Sequence, residues 1–233
     1  MKYFKSIAFV AFATLFSVTA IAQENVVRLG LGGLAVSNLN FDVERAVTDN
    51  QAVSLNLGIL TPRSKLPFGI DDGTDLDLER IGGISIAPEY RFYTGTQEAL
   101  RGFYVAPYLK YSRYGVNAVG DYDGTDGDVA AKLSTIGGGI QLGAQWLIND
   151  RVSIDWSFFG IGVNRHTLNL RLESDDREVD FQSLEDDFDA TLAELPDFIS
   201  KKIQTESGDD FISTKAPFLF PALRSSLSIG YAF

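Results

Sequence analysis

The chain has no cysteine, one histidine and one methionine among its 233 residues. Without cysteine there are no disulfides, no thiolate nucleophile, no thiolate metal site and no lipid-modified N-terminal cysteine. Beyond the first 22 residues, no stretch approaches the 18 or more apolar residues of a transmembrane helix. Positive charge is also scarce: 20 Lys and Arg stand against 31 Asp and Glu, a formal net charge of −11. Nucleic acid is therefore excluded as a partner, because phosphate backbones need a basic surface.

One apolar run is present, at the start. Lys2 and Lys5 form a positive n-region, Ile7 to Val18 is apolar except for Thr14 and Ser17, and Ala20-Ile21-Ala22 offers an A-x-A cleavage site. Residues 1–22 read as a secretory signal peptide, too short to span a membrane. The predicted mature domain is then 23–233, with its charge lowered to −13 by loss of the two lysines. An exported chain of this size without disulfides must take its stability from a core or from a membrane.

What the mature chain does have is alternation. Large apolar residues recur at every second position in eight segments, marked for example by Val27 and Leu29, Leu39 and Phe41, Val53 and Leu55, Ile84 and Ile86, Phe103 and Val105, Ile140 and Leu142, Ile154 and Trp156, and Leu227, Ile229, Tyr231 and Phe233. Period 2 is the mark of a strand with one oily face. The connections at 48–51, 94–100 and 148–150 are short. Longer ones are read at about 20 residues from Thr61, 16 from Gly115 and more than 40 after Arg171; only the first hairpin, around Ser37 and Asn38, is tight on that side. The expected fold is all-β: an eight-stranded antiparallel transmembrane β-barrel with short turns at one end and long outer loops at the other.

A soluble sandwich or lipocalin-like barrel would show the same period, so the polar face has to decide. Opposite the apolar positions lie Arg28, Asp42, Glu44, Glu89, Arg91, Lys110, Asp155 and Arg224, four positive and four negative. A solvated face has no need of such neutrality, whereas a narrow lumen does, since unpaired charge there is poorly solvated. These eight residues are read as a lumenal ion-pair network. Aromatic residues, including Phe103, Trp146, Trp156 and Tyr231, fall on the opposite, lipid-facing side.

The segments "NFDVERAV", "IAPEYRFY", "GFYVAPYLKYSRY" and "GGGIQLGAQWLINDRVSIDW" resemble the core of a domain-of-unknown-function family of small outer-membrane β-barrels, with the OmpA/OmpX-like eight-stranded architecture. The closing "LSIGYAF" (Leu227, Ile229, Tyr231, Phe233) resembles the signal by which barrel-assembly machinery recognises its clients. The resemblance covers roughly residues 25–165 and 217–233 and carries no known activity. It implies the outer membrane of a Gram-negative bacterium, with outer-membrane lipid and the assembly machinery as partners.

Acidic residues concentrate in three segments: 23 of the 31 lie in 61–80, 115–130 and 171–210. Such a rim repels anions and attracts divalent cations. No cofactor is expected except calcium, for which Asp121, Asp123, Asp126 and Asp128 offer carboxylates among glycines, although Asp126 stands where an EF-hand needs its glycine. Solvated acidic loops are the plainer reading. Within the long acidic outer loop, 171–215, Ser183 and Asp186 resemble a capping box. Leu184, Phe188, Leu192 and Leu195 share a helical face, and Pro196 kinks the helix before Phe198 and Ile199. This short helix is expected to close over the barrel mouth, or to dock to an extracellular partner or the outer leaflet.

Catalysis finds little support. His166 is the lone histidine, and alternation counted along its strand places it on the lipid-facing side. Gly137-Gly138-Gly139 lacks the strand-to-helix crossover of a phosphate loop. The chain is expected not to be an enzyme but to play a structural or binding role at the envelope through its acidic loops. A narrow cation-preferring channel and, more weakly, a lipid-modifying enzyme built on His166 are the alternatives.

Overall fold

The computed structural model describes residues 24–34, 37–63, 76–94, 98–122, 125–174, 202–208 and 210–233. The predicted signal peptide and the predicted kinked helix fall outside these residues. Nine strands run in chain order: β1 (Asn25–Gly30), β2 (Asn38–Thr48), β3 (Gln51–Arg63), β4 (Leu76–Tyr93), β5 (Gly102–Tyr122), β6 (Thr125–Ile148), β7 (Val152–Glu173), β8 (Gln204–Ser207) and β9 (Phe211–Ala232). Each pairs antiparallel with its neighbours in the order β1-β2-β3-β4-β5-β6-β7-β9, and β9 returns to β1. Eight strands thus close into a ring, and β8 is a short ninth strand hairpinned onto β9. Closure removes the exposed edges that an open sheet presents. The last rung joins Asn25 and Phe233, which exchange backbone hydrogen bonds of 3.1 and 2.9 Å.

The alternation becomes two surfaces. Arg28, Asp42, Glu44, Glu89, Arg91 and Asp155 point inward and are buried, whereas Phe103, Trp146, Trp156 and Tyr231 point outward and are 46–62% exposed. The inside is polar and the outside apolar, the reverse of a protein that hides oil from water. Small residues inside make room for large ones: a Cβ at Gly143 would collide with the Tyr104 ring, and one at Gly162 would come within 2.7 Å of the Tyr108 hydroxyl.

At the short-turn end, Asn149 and Asp150 both take positive φ, 50° and 59°, the two-residue geometry that matches the twist of a hairpin. The loop end departs from expectation. The segment 115–130 is not a 16-residue loop, because β5 and β6 stay paired up to Tyr122 and Thr125. The acidic segment 171–215 is also shorter as a connection: its first residues complete β7, and β8 and the start of β9 occupy its end. Between β1 and β2 lie seven residues, 31–37, rather than a tight hairpin.

Candidate functional site

Inward-facing positions on five strands bring the predicted charges into one layer across the lumen. Arg28 on β1 pairs with Asp42, with Glu44 at 2.6 Å and with Asp155 at 3.8 Å. Arg91 on β4 reaches Asp155 at 2.5 Å, Glu89 at 3.0 Å and Glu44 at 3.1 Å, and its guanidinium stands 4.4 Å from the centroid of the Tyr104 ring. Arg224 on β9 pairs with Glu89 at 2.7 Å. Neutral donors complete the layer. Ser54 donates to Asp42 at 2.7 Å, Gln141 to Glu89 at 3.1 Å and Tyr104 to Asp155 at 3.0 Å, while the Tyr93 hydroxyl lies 2.6 Å from Glu44. Three guanidiniums interleaved among four carboxylates are what makes burying so much charge tolerable.

Lys110 is the exception among the eight predicted members. It faces the lumen and is half-buried, but makes no ion pair with a carboxylate among the described residues. It lines, with Arg224, Asn40, Asn56, Ser85 and Asn164, a polar cavity of about 320 Å³ that opens above the ion-pair layer toward the loop end. Below that layer the inward side chains pack into an apolar cluster. Tyr93, Tyr104, Val26, Ala52 and Ala232 surround Leu100, which folds inward from the turn before β5 and is 1% exposed. Sequence reading missed Leu100, because a leucine in a short turn carries no periodic signal. Its φ of 72° places it in the left-handed region, uncommon for a non-glycine residue.

His166 is not lipid-facing. The register between β7 and β9 slips between Ser157 and Gly160, so Phe158 and Phe159 both point outward, at 38% and 47% exposure. This bulge inverts the parity of everything beyond it. His166, with Leu168, Leu170 and Leu172, therefore shares the lumenal face. Its Nδ1 lies 2.9 Å from the hydroxyl of buried Thr135, and its ring stacks on Phe218 with centroids 5.0 Å apart. The outward apolar run of β7 ends at Val163, so His166 stands beyond the apolar band. Partial burial, and then the nearby Lys110 ammonium, hold its imidazole below the ordinary 6.5. No carboxylate joins the Thr135–His166 pair among the described residues, so a nucleophile–base–acid arrangement is not assembled there.

Of the predicted calcium ligands, Asp123 lies outside the described residues. Asp121 and Asp126 stand opposite each other on β5 and β6, and Asp128 opposite Glu173. Among the described residues no cluster of three or more acidic or histidine side chains forms a metal-binding group.

No curated protein matches the chain in sequence. Among solved structures it is similar to a major outer membrane protein from Thermus thermophilus, at 13% identity and a TM-score of 0.44, with 90% of this chain and 99% of that one covered. That likeness is too distant to carry a function across. The family model described as a protein of unknown function (DUF3575) matches residues 7–171, and the chain belongs to this family.

Proposed function

We propose that the protein is an outer-membrane β-barrel with a structural or binding role at the cell envelope, exercised at its acidic loop end. The observation that carries this reading is the inversion of polarity around a closed ring. Large exposed apolar residues occupy the outer face of every strand of the ring, from Val27 on β1 to Leu223 on β9, an arrangement that suits hydrocarbon and not water as the surrounding medium. Eight strands leave an interior about wide enough for side chains to fill, and here ion pairs and the Leu100 plug fill it in two successive layers. That filling supports a binding or structural role over transport.

A narrow cation-preferring channel is the second reading, favoured by the acidic segments around the mouth. Planar-bilayer recording of the refolded chain separates the two. Silence across the physiological voltage range is expected. Steady cation-selective conductance would overturn the plugged-barrel reading and put the channel in its place.

A further inference from the structure

The outer wall carries a second pattern, above the apolar band. Going toward the loop end on each of five successive strands of the ring, the first charged residue on the outer face is basic: Arg80 on β4, Arg113 on β5, Lys132 on β6, Arg165 on β7 and Lys215 on β9. All five are exposed, and none is ion-paired to a carboxylate among the described residues. Carboxylates on this face come further out, with Glu79 beyond Arg80, Asp128 beyond Lys132, and Glu173 beyond Arg165 in a pair with Arg171. The short-turn end differs, since Arg45 pairs with Glu24 at 3.8 Å and Arg101 with Asp150, leaving Arg151. An acidic protein has thus placed a basic belt, without carboxylate partners among the described residues, at one boundary of its apolar band.

Two grooves make part of this belt into a site. Arg80, Arg113 and Lys132 border a groove of about 440 Å³ floored by Gly82 and Gly115, beside Ile59 and Ile84. The two glycines are cross-strand neighbours, and a Cβ at either would meet nothing closer than 3.7 Å, so the wall is indented there. Directly below, on β2 to β5, lies an apolar groove of about 590 Å³ lined by Val53, Leu55, Leu57, Pro88, Pro107 and Leu109. The prolines lack the N–H that would tie the sheet together at this height, and the rungs between Ile86–Tyr111, Glu89–Tyr108 and Phe92–Val105 are missing. Three cations stand above an acyl-sized trough, and two of them, Arg80 and Arg113, stand on strands that line it.

We infer that this wall binds one phosphorylated, acylated glycolipid of the outer leaflet, with phosphate on Arg80, Arg113 and Lys132 and acyl chains in the groove between Leu57 and Pro107. Guanidinium groups match phosphate in bidentate geometry, and basic residues at a membrane interface recognise anionic headgroups. The inference rests on the outer-membrane reading above and assigns that reading its lipid.

The test uses the full mature chain refolded in neutral detergent micelles, with retained lipid counted by native mass spectrometry. The probes are bisphosphorylated lipid A and the same lipid with its phosphates removed. The phosphorylated form should be retained at least tenfold more strongly. Each charge removed by Arg80→Gln, Arg113→Gln or Lys132→Gln should weaken retention about fivefold, the factor equivalent to the attraction of one basic side chain to an anionic surface. The triple variant should fall to the level of the dephosphorylated probe. Arg101→Gln and Arg151→Gln together, which remove charge at the other end and away from both grooves, should leave retention unchanged. Equal retention of the two probes, an unaffected triple variant, or full displacement by millimolar inorganic phosphate would each overturn the site while leaving the barrel reading intact. A chain that folds as a soluble monomer without detergent overturns both.

Discussion

Replacing Arg91 with methionine tests whether the lumenal layer holds the barrel together. Methionine keeps an unbranched apolar stem but removes the charge shared by Glu44, Glu89 and Asp155. Those carboxylates are not left equally exposed. Glu44 retains Arg28 at 2.6 Å and Glu89 retains Arg224 at 2.7 Å, whereas the nearest remaining cation to Asp155 is Arg28 at 3.8 Å. Breaking a buried pair by removing one partner costs about 3–5 kcal/mol, because a charge stays behind without compensation. Arg91→Met should therefore lose that much stability, and most of the loss should trace to Asp155. Adding Asp155→Asn should recover at least half of it, and adding Glu44→Gln distinctly less. The assay is urea unfolding of the vesicle-embedded barrel followed by fluorescence of Trp146 and Trp156, both on the outer face. A loss below about 1 kcal/mol, the level of an exposed pair, would refute the reasoning, as would better rescue by Glu44→Gln.

Leu100→Ala should cost about 2–5 kcal/mol in the same titration, as for other large-to-small changes in a packed interior. Bilayer recordings should stay silent, because the ion-pair layer above the plug is untouched. His166 should titrate below 6.5 by NMR, and Lys110→Gln should move it back upward. Since protonation is disfavoured in the folded state, the unfolded chain takes up the proton first. Stability should then decline as pH falls from about 6.5 to the folded value, where the loss levels off, a slope that Lys110→Gln should flatten. Deleting Phe233 removes both hydrogen bonds of the closing rung and should lower the yield of heat-resistant folded barrel on gels, without shifting the Arg91→Met effect.

Much of this architecture is local and so legible in sequence. Period-2 alternation is a property of neighbouring residues, and it placed the eight ring strands and the inward side of Arg28, Asp42, Glu44, Glu89, Arg91, Asp155 and Arg224 before any pairing was known. It also separated aromatic residues such as Trp146 and Trp156 onto the opposite face. Three features depended on partners distant in the chain. The bulge at Phe158 and Phe159 puts two apolar residues side by side on one face, so counting by twos carries His166 to the wrong side; only the ladder to β9 shows the slip. The hairpin of β5 and β6 continues through acidic, glycine-rich residues whose local preference is for loop, because each strand supplies the other's backbone hydrogen bonds. Arg91 finds Glu44 and Asp155 across 47 and 64 residues of chain. Alternation in the sequence determined the side of the wall on which each of these charges stands. Closing the ring decided which charges meet and that Leu100 packs inside beneath them, because both depend on strand register and curvature, which no short stretch of chain contains.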